Sequence, residues 1–160
     1  MEKRLVDVLQ QDSIEAILEV LRPHDILDEL PLQHYKGDNL YVREAHYPKG
    51  AIVVGRVHKY NHVFILVTGK VTIWTEEGRR TLTAPAVIET PTGTQRVGYF
   101  HANSMCINCH GHNEEHIEDN KEFFTTETKK QYLEFKEPDV IDLPSSETIH
   151  HKKLLIGGAD

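Results

Sequence analysis

Two histidines four positions apart, His58 and His62, are the first residues in this sequence placed to do chemistry. Val54, Arg56 and His58 share one face of an extended run, and His62, Phe64 and Leu66 share one face of the next. With 59–61 as a three-residue hairpin loop the two imidazoles lie opposite each other. Cross-strand Cβ atoms are about 4.5–5.5 Å apart, which suits two rings sharing one metal ion. The same spacing also fits two solvated or hydrogen-bonded surface histidines. The other faces, Ala51, Val53 and Val57 with Val63, Ile65 and Val67, are wholly apolar. They are expected to supply the packed core, leaving Arg56, His58 and His62 to line a cavity.

Two further strings compete for attention. Cys106, Cys109 and His110 spell C-x-x-C-H, the pattern of covalent haem attachment. That chemistry needs an accessible turn or helix start, whereas this string sits in an expected strand with its sulfurs on opposite faces. Buried structural cysteines are the reading adopted, with a zinc knuckle completed by His112 and His116 as a minor alternative. His112, Glu115 and His116 spell H-x-x-E-H, a zinc-protease string that needs a buried helix. The flanking residues lack the apolar positions to bury one, so a solvated acidic turn is expected.

The elements that must position these residues fall into three stretches. Residues 1–35 form a helical segment: Ile14, Ile17, Leu18 and Leu21 follow at helical spacing, Asp12 and Glu15 resemble a capping box, and Pro23 limits the helix. Residues 36–116 hold short β runs at 40–45, 51–58, 62–67, 70–75, 79–83, 86–90, 95–101 and 105–110. Short strands spaced by turn residues, with no helical pattern between them, indicate an antiparallel sandwich or barrel. Residues 117–160 are polar and mixed in charge, a C-terminal extension draped over the barrel or a partner, in which 128–137 is left open between helix and edge strand.

The run from Gly50 through His58 and His62 to Gly69 resembles the first motif of the cupin superfamily, with Arg56 and His62 standing where that motif has His and Glu. Pro91, Gly93 and Arg96 resemble the start of its second motif, with Arg in place of His. More closely, the stretch of about 38–110 resembles small single-domain cupin-like proteins common in tailed-bacteriophage genomes, a group of unassigned function. The resemblance implies an all-β, antiparallel jelly-roll barrel and a metal-facing group at position 96. The runs 95–101 and 105–110 are expected to form the last hairpin, placing Arg96, Cys106, Asn108 and His110 on one face. His110 then replaces the missing ligand, with His101 in reserve. Three neutral imidazoles, His58, His62 and His110, would hold a divalent transition metal (zinc, manganese, iron or nickel), and Arg56 and Arg96 would orient an anionic substrate.

Composition narrows the partners. Of the 160 residues 18 are Lys or Arg against 25 Asp or Glu, a formal net charge of −7, and the basic residues form no cluster larger than a pair. An electrostatic nucleic-acid footprint is therefore excluded from the reading. No apolar run approaches a membrane span and the first residues carry no long apolar stretch, so a cytoplasmic location is expected, in the host cell for a phage protein. Two cysteines do not make a disulfide framework. The expectation is a homodimeric, metal-binding barrel acting on a small polar or anionic molecule. The alternative is a non-catalytic barrel that binds a small ligand or a protein, such as a phage accessory protein. That alternative gains from the absence of a carboxylate placed as general base.

Overall fold

The computed structural model describes residues 7, 9–23, 32–111 and 123–136. Helix α1 (Ile14–Leu21) is followed by strands β1 (Leu32–Gly37), β2 (Leu40–Tyr47), β3 (Ile52–Val54), β4 (Val57–His58), β5 (His62–Thr68) and β6 (Lys70–Thr75). Next come β7 (Gly78–Thr83), β8 (Ala86–Thr90), β9 (Val97–Phe100), β10 (Ser104–Gly111), β11 (Thr125–Thr126) and helix α2 (Lys129–Lys136).

All pairings are antiparallel. One sheet runs β1-β2-β10-β5-β8, the other β3-β9-β6-β7, and β4 pairs separately with β11. Apart from the added edge strand β1, every connection between successive sheet strands crosses to the opposite sheet, except the β6–β7 hairpin. Four strands in each sheet, interleaved in this way, are a jelly roll. Among the described residues no helix is long and apolar enough to cross a membrane.

Alternation along each strand decides what the interior holds. In β5 the buried side chains are His62, Phe64 and Leu66, and in β10 they are Ser104, Cys106, Asn108 and His110. Register places Leu66 beside Cys106 and Ala86, then Phe64 beside Asn108 and Ile88, with His62 opposite Thr90. The interior thus grades along its axis from an apolar floor to a polar end. Phe64, Leu66, Val71, Ile73, Leu82, Phe100 and Cys106 form that floor.

Three expectations are corrected here. The core is not built from Val63, Ile65 and Val67, which are only part-buried on the outer face. Two stacked sheets share a single interior, so core and cavity lie on the same face of β5. The expected hairpins at 59–61 and 102–104 do not form, because β4 pairs with β11 and β9 and β10 belong to different sheets. Those short connections bridge the two sheets instead. Finally, α1 is capped by Ser13, whose Oγ accepts from the Ala16 N–H at 3.1 Å, one residue after the expected Asp12.

Helix α1 seals the outer face of the second sheet. Ile14 and Ile17 pack with Trp74, Val97 and Tyr99, and the Trp74 indole donates to the Gln11 carbonyl at 2.6 Å. Strand β1, which the sequence reading missed, joins β2 through a turn at Asn39, whose φ of 56° is the left-handed conformation asparagine tolerates. The open segment at 128–137 is helical over Lys129–Lys136. The strings at 112–116, positions 1–6, 8 and 24–31 of the expected helical segment and the tail beyond 136 lie outside the described residues.

Candidate functional site

The polar end of the interior gathers three of the expected histidines. His62 on β5 and His110 on β10 are buried, and His58 on β4 is half-buried. Ring centroids are 4.1 Å apart for His58 and His62, 4.6 Å for His62 and His110, and 6.1 Å for His58 and His110. Strand parity explains His110, since 106, 108 and 110 all point inward. His58 arrives by another route. Its N–H donates to the Thr94 carbonyl at 3.0 Å and its carbonyl accepts from Gly93 at 2.7 Å, tying the crossing segment to the loop before Arg96.

Arg96 enters the same space from the opposite sheet, on the inward parity of Gly98 and Phe100. Its Nη1 donates to Thr90 Oγ1 at 3.1 Å, and its Nη2 donates to His62 Nε2 at 3.3 Å and to Asn108 Oδ1 at 3.2 Å. The guanidinium carbon sits 4.5 Å over the Phe64 ring. The backbone beneath it is fixed by Gly55, whose N–H donates to the Arg96 carbonyl at 2.8 Å. A Cβ at position 55 would stand 2.9 Å from that oxygen, so glycine is what permits the approach.

His62 Nδ1 lies 3.4 Å from the Tyr60 carbonyl, which can only accept; Nδ1 therefore carries the proton and Nε2 receives Arg96. Burial and the nearby Arg96 charge push His62 down to about 4. Burial, then His62, Arg96 and His110, hold His58 far below the usual imidazole range. Loss of solvent lowers Arg96 itself to about 10. Arg43 alternates inward on β2 opposite Asn108, and among the described residues its buried Nε has no partner, nor has Nδ1 of His58. The site therefore holds two guanidinium groups beside the neutral imidazoles of His58 and His62. Among the described residues every hydrogen-bond partner of the Arg96 guanidinium is neutral.

The wall is aromatic. Phe124, 3% exposed, packs tilted against His110 at 4.4 Å and stacks on Tyr41 at 5.3 Å. The Tyr41 hydroxyl lies 2.5 Å from His34 Nδ1. The segment carrying Phe124 is strapped across the barrel end. Lys59 N–H donates to the Phe124 carbonyl at 2.8 Å, Arg56 Nε donates to Thr125 Oγ1 at 2.8 Å, and Tyr132 meets Thr92 at 2.8 Å. Arg56, expected to orient a substrate, is thus tied into this strap. His101, the reserve ligand, lies away from the cluster, bonded to Thr72 at 2.7 Å. Beside Arg96 a cavity of about 850 Å³ opens to solvent, lined by His62, Thr90, Arg96, Glu76, Lys129 and Tyr132. That volume is in the range of small-molecule pockets.

Arg43, Thr90 and Phe124 escaped the sequence reading, whereas Tyr41 takes the core or pocket-wall role expected of the tyrosines. Two adjacent aromatics, Phe123 and Phe124, in an otherwise polar tail were the legible signal for the strap.

A divalent ion, which the cupin resemblance implies, does not fit among these side chains as they stand. The lone pair of His62 that would bind it is engaged by Arg96. Among the described residues no three His, Cys, Asp or Glu side chains converge on a point that could hold an ion. Two unit charges 4 Å apart interact by about 4 kcal/mol at an effective dielectric of about 20, and a divalent ion beside the guanidinium would meet roughly twice that repulsion.

No family model matches the chain, and no curated protein matches its sequence. Solved structures with a similar fold include KdgF from Halomonas sp., at 17% identity over 58% of this chain and 92% of that one, with a TM-score of 0.46. Others are a cupin 2 domain-containing protein from Halorhodospira halophila (12%, 58% and 70%, TM-score 0.47) and an acetylacetone dioxygenase from Acinetobacter johnsonii (18%, 56% and 64%, TM-score 0.44). At these identities and scores the likeness adds nothing to the jelly roll already defined by the strand order.

Proposed function

We propose that the protein is a small-molecule-binding jelly roll whose interior site takes an anionic group, a carboxylate or a phosphate, against Arg96. The observation that carries this reading is a guanidinium lined by buried groups and, among the described residues, bonded only to neutral ones, with Arg43 as a second cation nearby. A charge taken out of water is costly until it is paired. A bound anion supplies the missing partner, and the cavity beside Arg96 gives it entry. Inorganic phosphate and acetate are the probes. The reading predicts that one of them raises the thermal midpoint of the native protein, by roughly 2.7 kcal/mol of added stability at 100 times its Kd. The shift is absent in Arg96→Met. No shift in the native protein with either anion, or an equal shift in Arg96→Met, contradicts it.

A second reading, a metal-dependent enzyme acting on a small polar molecule through His58, His62 and His110, is favoured by the partnerless Nδ1 of His58 in the midst of three gathered rings. It requires Arg96 to leave His62. Metal analysis of the purified native protein separates the two: a stoichiometric ion released by His58→Ala and by His62→Ala supports the second reading alone.

A further inference from the structure

We infer that the Arg96 head group fills a cation site built by the barrel, and that removing it uncovers a site for a divalent transition metal which the native chain masks. The inference rests on the reading above only in placing Arg96 at the site's centre.

Three acceptors from three different strands converge on the guanidinium: His62 Nε2 from β5, Thr90 Oγ1 from β8 and Asn108 Oδ1 from β10. Each strand is held in register with its neighbour, β5 to β8 with His62 opposite Thr90, and β10 to β5 with Asn108 opposite Phe64. The acceptors are therefore fixed by the sheet and not by the arginine. Nitrogen and oxygen acceptors meeting at one point are what a first-row divalent ion takes as ligands. The imidazoles of His58 and His110 stand beside that of His62, with centroids 4.1 Å and 4.6 Å from it. Rings bound through one nitrogen each to a shared ion at about 2.1 Å have centroids roughly 4.5–5.5 Å apart, close to these separations, but His62 and His110 are stacked with 25° between their planes, so the rings must turn to aim their nitrogens at one ion.

Arg96 closes this site in two ways. It occupies the point where the acceptors meet, and it adds a positive charge to an interior that already holds Arg43. The Phe64 face under the guanidinium and the Gly55 contact on its backbone keep it there. A side chain that is neutral and shorter leaves His62 Nε2, Thr90 Oγ1 and Asn108 Oδ1 without their donor and opens the space they surround. The residue at 96 thus selects between direct capture of an anion by a guanidinium and capture of a metal ion.

The test is cobalt(II) binding to full-length native protein, Arg96→Ala and Arg96→Met, followed by visible absorption and by metal content after gel filtration. Circular dichroism establishes that each variant is folded. The native protein is expected to retain no cobalt. Arg96→Ala is expected to bind one equivalent at least 100-fold more tightly, with nitrogen and oxygen ligand bands that vanish when His62→Ala is added. Arg96→Met, which keeps most of the side-chain volume, serves as the second folded variant and is expected to gain a weaker site. A native protein that holds one equivalent released by His62→Ala overturns the inference. So does a folded Arg96→Ala or Arg96→Met pair that binds cobalt no better than native. Phosphate binding to the native protein is scored separately: its failure removes the anion reading and leaves the cobalt result standing, and the reverse holds as well.

Discussion

His62 shows how one residue's surroundings set the behaviour of the whole site. Burial and the Arg96 charge keep its imidazole neutral down to about pH 4. A folded-state value below the unfolded one near 6.5 means that, as pH falls, the unfolded chain takes up the proton first. Stability contributed by neutral His62 is complete above pH 6.5 and is lost as pH falls from there to about 4. The loss is roughly 3 kcal/mol for this residue, and His58 acts in the same direction. Urea unfolding between pH 7 and pH 4 checks the slope, which should be shallower in His62→Phe. A stability that is flat or rises on acidification would show that His62 is not buried neutral. The histidine spacing made His58 and His62 legible in the sequence, and strand parity did the same for His110. Arg43 was not, because its inward direction depends on the register between β2 and β10.

Elements carry a different part of the account. Helix α1 adds a second hydrophobic layer outside the barrel, and Ile17, 0% exposed against Trp74, is its anchor. Ile17→Ala should cost about 2–5 kcal/mol, whereas Ser13→Ala, which removes only the cap, should cost about 1 kcal/mol. Chemical denaturation of both variants measures the difference. Similar losses for the two would mean that α1 is held by its own ends and not by packing. The β5–β6 turn is a harder constraint. Gly69 has φ of 95°, and a Cβ there would lie 2.0 Å from Ser104 Oγ and 2.8 Å from the Asn103 carbonyl. Gly69→Ala should therefore destabilise by more than the roughly 1 kcal/mol typical of a substitution, with a lowered melting temperature as the readout. A melting temperature equal to the native one would refute that reading of the turn. Turn glycines and strand alternation were readable from residue types alone. Which strands pair was not: the short connections at 59–61 and 101–103 look like hairpin loops locally, and only the stacking of two sheets makes them crossings.

At the scale of the molecule, an acidic chain encloses a cationic interior. The formal net charge is −7, yet Arg96 faces a cavity that Glu76, paired with Lys129 at 2.7 Å, also lines, and Arg43 alternates inward on β2. The barrel class followed from the spacing of short β runs, and the jelly-roll order agrees with it. The closure of the polar end by Phe124 and α2 did not follow from spacing, since a short polar segment gains its packing only from the barrel beneath it. The central claim is that the interior cation awaits an anion. It is tested most directly by calorimetric titration of native protein and Arg96→Met with inorganic phosphate and with acetate, at fixed salt. A single saturable site for one of these anions is expected in the native protein and none in the variant. Saturable binding that survives Arg96→Met, or its absence in a folded native protein for both anions, would contradict it.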